Sequence, residues 1–278
     1  MKKMNTLEQN ASKKYTPWLI LTLFDFVTII GFEDIMYPFQ NQGLSVVISW
    51  IFMLFAYVIP YELIVSQLGL TFDQQAGGLA SWIRRGTGSD LFGYATSWMY
   101  WVQTIPYLVD VSNSVIVSFS WIILGDATLG KHMSTFTFGL LTFAIILAFI
   151  LLENLFKDSL EILSLIGGGA MFIMSMLFVL MTFWAVTHGA HIATQPFNLE
   201  AFKPSFSLHY FSTTGLLIFA MSGAELAAPY ISKMKNPKKE FPRSMWVLAL
   251  MTGALTILGT LSLAVFCDAN HIPHDFKM

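Results

Sequence analysis

Long runs of apolar residues, separated by short polar segments, dominate this chain. A helix of about 20 apolar residues matches the ~30 Å hydrocarbon core of a bilayer. The pattern predicts seven such helices, at about residues 17–41, 44–69, 91–124, 135–153, 160–187, 209–231 and 245–267. No run alternates apolar and polar residues, which argues against membrane-spanning strands. The predicted fold is therefore all-α and integral to the membrane.

Two of these predicted helices have unusual lengths. The run at 91–124 is too long for one perpendicular crossing, so it must tilt or extend beyond the bilayer. The run at 17–41 is too long for the apolar part of a signal peptide and lacks a small-residue cleavage site. We therefore expect the first helix to be retained.

The composition supports a membrane protein and excludes several other classes. Of the 278 residues, 55% are hydrophobic and only 12% are charged, whereas about 25% are charged in soluble domains. A soluble enzyme, a disordered chain and a nucleic-acid-binding protein are excluded on this ground. The single cysteine, Cys267, excludes a disulfide framework and a cysteine-based metal site.

The distribution of positive charge predicts the orientation, because cytoplasmic loops carry an excess of Lys and Arg. With the N-terminus in the cytoplasm, twelve of the 15 Lys and Arg residues lie on the inner side: Lys2, Lys3, Lys13, Lys14, Arg84, Arg85, Lys157, Lys233, Lys235, Lys238, Lys239 and Arg243. Three lie outside: Lys131, Lys203 and Lys277. An odd number of helices then places the C-terminus outside.

Two predicted helices contain a glycine near the centre, followed within three residues by acidic residues. The two sequences are Ile30-Gly31-Phe32-Glu33-Asp34 in the first helix and Ser222-Gly223-Ala224-Glu225 in the sixth. A central glycine is often only a close-packing device. An acid at that depth is costly to bury, so such residues usually line a cavity or form pairs.

The first and sixth helices run through the membrane in opposite directions, because four helices lie between them. Inverted-topology transporters have this arrangement, with discontinuous helices meeting at the bilayer midplane. Freed carbonyls at one half-helix end bind cationic groups, and freed N–H groups at another bind carboxylates. A zwitterionic amino acid matches this pair of poles.

Enzyme and metal chemistry have no visible carrier in the sequence. No G-x-S-x-G, H-E-x-x-H or Walker pattern occurs. His188 and His191 have the spacing of half a metal site but no third ligand nearby, so we interpret them as structural or solvated. We expect no catalytic residues, no metal and no cofactor.

The segment from Gly223 to Met245 resembles a stretch of the amino acid–polyamine–organocation (APC) superfamily. Its residues Gly223-Ala224-Glu225 and Met234-Lys235-Asn236-Pro237-Lys238-Lys239-Glu240-Phe241-Pro242-Arg243-Ser244-Met245 follow the pattern G-x-E…M-x-N-P-x-R-D-[YF]-P-x-[AS]-M. A second block, Gly43-Leu44-Ser45, Pro60 and Gly77-Gly78-Leu79-Ala80-Ser81-Trp82, is similar to the glutamate:GABA antiporter branch and related bacterial amino acid permeases. The resemblance extends from about residue 15 to the end of the chain.

This resemblance implies a fold of about twelve helices, the first ten forming two inverted repeats of five, with helices one and six broken. The implied organisation is a cytoplasmic tail (1–16), the first five-helix repeat (17–187), an outer loop (188–208), the start of the second repeat (209–267) and an outer tail (268–278). The chain then ends after seven helices, so it is interpreted as a truncated gene, a fragment or one half of a split protein. Its partner would be the missing C-terminal half.

The resemblance also implies the function and the substrate site. The function is secondary transport, by exchange or proton coupling, of a small amino acid or amine across a bacterial-type plasma membrane. The alternative is a truncated permease that does not transport, or one half of a split transporter. By position, Ile30, Gly31 and Phe32 line the first break, and Ser222, Gly223 and Ala224 line the second. Glu225 matches the family's acid after the second break, and Lys233–Arg243 matches the inner loop before helix seven.

Two departures from the family pattern bear on the site. Glu33 and Asp34 stand where the relatives have small or neutral residues. They either crowd the positive helix end that a substrate carboxylate occupies, or cap that half-helix and face an outer vestibule. With Glu225 they predict a preference for neutral or cationic substrates over glutamate. Residues 165–170 of helix five contain no Lys, although some proton-coupled relatives have one there. Its absence favours exchange or another coupling route.

Three further acids lie within or near predicted helices. Asp110 is near the middle of helix three, which faces the substrate in the family, and Asp25 lies about two turns before Gly31. Each either contributes to substrate or proton binding, or forms structural pairs. Glu62 follows Pro60 near an inner helix end, where we expect its carboxyl to reach water.

Overall fold

A computed structural model describes residues 15–72, 78–126, 128–155 and 159–269. All regular secondary structure in these ranges is helical, which confirms the predicted all-α fold. The α-helices are α1 (Trp18–Ile29), α2 (Phe32–Gln42), α3 (Val46–Met53), α4 (Ile59–Thr71), α5 (Gly78–Thr87), α6 (Asp90–Leu124), α7 (Thr135–Leu155), α8 (Ser159–Leu163), α9 (Gly169–Thr187), α10 (Leu208–Ala220) and α11 (Pro237–Phe266). Single π-helical turns join α3 to α4 and α8 to α9.

Six helical stretches of the described chain are long and apolar enough to cross a membrane. They are Asp34–Thr71, Asp90–Leu124, Thr135–Leu155, Glu161–Thr187, Leu208–Lys233 and Pro237–Phe266. The sequence predicted seven membrane-spanning helices, and the numbers differ because the first predicted helix is divided near Gly31. Its first part, α1, has only 12 residues, and its second part, α2, is followed by a turn at Gly43, whose φ is +58°.

The third predicted helix is confirmed as one continuous element. Helix α6 has 35 residues, which at ~1.5 Å per residue exceeds the ~30 Å hydrocarbon core. Its length therefore requires tilt or extension into water, as the sequence indicated.

The predicted start of the seventh helix was wrong. Helix α11 begins at Pro237 rather than near 245, because proline is favoured at the first helical position. The Asn236 carbonyl accepts hydrogen bonds from the N–H groups of Lys239 (3.1 Å) and Glu240 (2.9 Å). The basic segment that the sequence placed in an inner loop therefore includes the first two turns of α11.

The described residues divide into two compact units, one within residues 15–82 and 160–269 and the other within residues 83–159. In the described part of the first unit, α11 packs against α1, α3, α4 and α9. Small residues permit this close packing, since a Cβ at Gly253 would lie 2.9 Å from Leu54. Two buried hydrogen bonds fasten α11: Thr22 to Ser244 (2.8 Å between hydroxyls) and the Trp50 indole N–H to Thr260 (3.1 Å).

Helix α1 also packs against the π-helical turn Ser164–Gly168. A Cβ at Gly168 would lie 2.5 Å from the backbone oxygen of Leu23, a distance that real Cβ atoms do not adopt. The neighbouring Gly167 has nothing within 4 Å of its Cβ position. Within the glycine triplet of helix five, therefore, Gly168 is the residue that brings this helix against α1.

The second unit consists mainly of α6 and α7. The Thr142 hydroxyl of α7 donates to the Asn113 side chain of α6 at 2.9 Å. Thr128 donates to Asp126 from both its hydroxyl and its backbone N–H, and these hydrogen bonds hold the pKa of Asp126 below its ordinary value. Large apolar side chains such as Phe136 and Phe143 are exposed along α7, as expected of a helix that faces lipid.

Candidate substrate site

The first break lies between α1 and α2. Ile30 and Gly31 have extended backbones, with φ −134° and −117° respectively. The Gly31 N–H donates to the Asp34 carboxylate at 2.8 Å. Asp34 therefore caps the half-helix that begins at Phe32 and places its carboxylate at the positive end of that helix, whereas its facing an outer vestibule stays a prediction. The Glu33 side chain lies outside the described part.

The second break lies between α10 and the 3-10 helix Ala224–Lys233. Gly223 has a φ of +126°, which side chains rarely adopt. A Cβ at this position would lie 3.2 Å from Cγ1 of Ile29, the last residue of α1. The two breaks therefore lie side by side.

Two tyrosines of the second predicted helix hold the second break in place. They are Tyr57 and Tyr61, whose rings stack with centroids 5.4 Å apart and an angle of 8° between the ring planes. The Tyr57 hydroxyl lies 2.7 Å from that of Ser222. The Tyr61 hydroxyl accepts from the Gly223 N–H at 3.1 Å and donates to the Glu225 carboxylate. This contact gives Gly223, which has no side chain, a fixed hydrogen-bond partner outside its own helix.

Sequence reasoning missed both tyrosines. Their signal was the one-turn spacing of two aromatic residues with hydroxyls inside an otherwise apolar helix. Glu62, the next residue, was placed wrongly: it is 3% exposed instead of reaching water. The reason is tertiary packing, since α4 is covered by α11 and by the 3-10 helix Ala224–Lys233.

The remaining candidate residues have varied surroundings. Ile30 and Ala224 are buried, and Phe32 makes an edge-on ring contact with Phe178 (5.5 Å between centroids). Asp110 is exposed on α6 in the second unit, so its role stays a prediction. His188 directly follows the last residue of α9, and its Nδ1 lies 2.8 Å from the carbonyl oxygen of Trp184.

A multi-pass helical membrane protein with two adjacent helix breaks has the architecture of secondary transporters with discontinuous helices. Residues 18–272 match the amino acid permease family. The chain belongs to this family, and its resemblance to the APC superfamily is confirmed.

Several curated relatives are similar to the chain. The aspartate/glutamate permease of Lactococcus lactis subsp. cremoris is 36% identical, over 93% of this chain and 53% of the relative. A probable agmatine/putrescine antiporter of Lactococcus lactis subsp. lactis is 25% identical, over 95% and 54%. A glutamate/gamma-aminobutyrate antiporter of Lactococcus lactis is 23% identical, over 90% and 47%. The chain thus spans about half the length of these relatives. No solved structure matches it.

Proposed function

We propose that this chain carries the substrate site of a secondary transporter that moves an amino acid or amine across the plasma membrane. The observation that supports this proposal is that the two helix breaks are adjacent, since Gly223 of the second break packs against the Ile29 side chain at the end of α1. Exposed carbonyls at the end of α1 attract a substrate ammonium group, and the N–H groups at the start of α2 that Asp34 does not occupy attract a carboxylate. The proposed site consists of Ile30, Gly31, Phe32, Ser222, Gly223, Ala224 and Glu225, and Asp110 of α6 stays a separate candidate.

The test is uptake of labelled amino acids and amines into lipid vesicles. One sample contains the 278-residue chain alone. The other contains a chimera in which residues 18–272 replace the aligned half of the Lactococcus lactis aspartate/glutamate permease. Uptake by either protein above empty vesicles supports the proposal, and uptake by the chimera alone favours the alternative that this chain is one half of a transporter. If neither takes up any substrate although both insert into the membrane, the proposed function is wrong.

The protein that shows uptake in this test, the chain or the chimera, is the transport-competent protein. We expect Tyr61→Phe to lower its rate of transport about tenfold or more. The substitution removes the acceptor of the Gly223 N–H and one donor to Glu225, and losing such a half-buried partner costs about 1–3 kcal/mol. Initial uptake rates measure the effect. Tyr94→Phe is the matched control, because Tyr94 is exposed in the second unit. Equal rates for the two variants would show that the Tyr61 hydroxyl does not support the break.

Substrate charge is expected to follow from the acid at the first break. Asp34 already occupies the Gly31 N–H, and two unit charges ~4 Å apart repel by about 4 kcal/mol at an effective dielectric near 20. Neutral and cationic amino acids and amines should therefore displace a labelled substrate from the protein better than glutamate does. Asp34→Asn should reduce this difference in displacement between glutamate and the other compounds. Glu200→Gln, on an exposed loop carboxyl, is the control. Stronger displacement by glutamate at neutral pH would contradict the expectation.

We further propose that the N-terminus is cytoplasmic and the end of α11 faces outward, as the positive charges indicate. Cys267, the single cysteine, follows α11 directly. A membrane-impermeant maleimide should label it in intact cells. Arg85→Cys in a Cys267→Ser background is the matched inner control and should react only after permeabilisation. The reverse pattern would invert the proposed topology.

A further inference from the structure

Two buried acids next to the breaks have no role in the site described above. Asp25 in α1 is fully buried, and neither of its carboxyl oxygens has a hydrogen-bond partner within the described residues. Glu62 in α4 is 3% exposed, and its Oε2 also has no partner there. Helix α1, which carries Asp25, and helix α4, which carries Glu62, both pack against α11 and against the 3-10 helix Ala224–Lys233, which carries Glu225. Of these three acids, Glu225 has the Tyr61 hydroxyl as a donor.

The positive charges of the elements around α1 are engaged elsewhere or lie at their ends. Arg243 in α11 stacks on the Trp18 ring, 4.2 Å from its centroid, about two turns before Asp25. Lys233 lies over the Tyr230 ring at the end of the 3-10 helix. The other charged residues of these elements, Lys238, Lys239 and Glu240, lie in the first turn of α11. The π-helical turn Ser164–Gly168 contains no titratable residue.

An ionised carboxyl without donors is too costly to keep in such surroundings, so it must bind a positive charge. A metal ion requires a larger set of ligands than two carboxyls. Among the residues that the structure describes, no group of three or more acids, histidines or cysteines is placed to hold one. A proton satisfies the charge without further ligands.

We propose that Asp25 and Glu62 form a proton-binding site whose occupancy is coupled to the break in helix six. The coupling path is short: Glu62 follows Tyr61, whose hydroxyl contacts Gly223 and Glu225. Gain or loss of the proton at Glu62 changes the charge beside α4 and hence the position of Tyr61 against the break. The binding of the proton stands on the burial of the two acids alone, whereas its coupling to transport rests on the proposed function.

Proton binding is tested by infrared spectroscopy of the purified 278-residue chain in lipid at neutral pH. We expect a carbonyl band of protonated carboxylic acid that shifts in D₂O and weakens in both Asp25→Asn and Glu62→Gln. The matched control is Glu153→Gln, on an exposed carboxyl of α7, which should leave the band unchanged. An absent band, a band unaffected by both variants, or its replacement by a carboxylate signal on adding sodium chloride in place of choline chloride overturns the proposal.

Coupling is tested in vesicles with whichever protein transports, the chain or the chimera. Asp25→Asn and Glu62→Gln should each reduce accumulation driven by an inward proton gradient about tenfold, which corresponds to ~1.4 kcal/mol. Exchange of labelled for unlabelled substrate, without a gradient, should change less than the gradient-driven accumulation. An equal loss of both activities, or no loss of accumulation, contradicts coupling. If the unsubstituted proteins do not transport at all, the proposed function fails while the infrared result still decides proton binding.

Discussion

Replacing Gly223 by leucine is expected to abolish transport while leaving membrane insertion intact. The backbone φ of +126° is strained for any side chain, and the first added carbon would already lie 3.2 Å from Ile29. The rest of a leucine side chain would fill the space between the two breaks that a substrate needs. We expect the uptake rate of the transport-competent protein to fall at least about 100-fold, or ~2.7 kcal/mol.

Gly215→Leu is the matched control for this experiment. Gly215 lies in the same helix, α10, is exposed, and has nothing within 4 Å of its Cβ position. Membrane extraction and size-exclusion profiles should show equal insertion of both variants. Uptake by Gly223→Leu equal to that of Gly215→Leu would remove Gly223 from the substrate site.

The second large effect is expected at Gly168, where alanine should destabilise the fold. Its Cβ would lie 2.5 Å from the Leu23 backbone oxygen. Because backbone cannot give way as a flexible side chain does, α1 must shift, and such overpacking typically costs about 1–3 kcal/mol. Thermal unfolding of the purified chain in detergent should begin at a lower temperature than in the unsubstituted chain.

The neighbouring Gly167→Ala provides a control of opposite sign. Nothing lies within 4 Å of its Cβ position, and alanine is favoured over glycine within a helix by about 1 kcal/mol. We therefore expect this variant to be as stable as the unsubstituted chain or more so. If both alanines have the same effect, the close packing of helix five on α1 does not determine stability.

The contact at Gly168 gives a physical reason for the absence of a lysine at one of the six central positions of helix five. The sequence shows only that residues 165–170 lack one. The structure shows that any side chain at Gly168 would overlap the α1 backbone. A lysine at this position is therefore excluded by space.

The sequence alone determined the membrane class, the helical fold, both breaks and the family. These features are readable because they depend on local patterns: the length of an apolar run, a central glycine, and an acid within three residues of it. It also left open whether Asp34 crowds or caps its half-helix, and the hydrogen bond from the Gly31 N–H to the Asp34 carboxylate shows that the acid caps the helix end while occupying it.

Only the tertiary structure decided what surrounds the second break. Tyr57 and Ser222 are 165 positions apart in the chain, and Tyr61 and Glu225 are 164 apart. The burial of Glu62 likewise comes from packing by distant elements. The pattern around Glu62 resembles that of an acid at a helix end, and its carboxyl is cut off from water because α11 and the 3-10 helix after Gly223 cover α4. Contacts between residues so far apart leave no periodic or local signal in a single sequence, because they depend on how whole helices pack together.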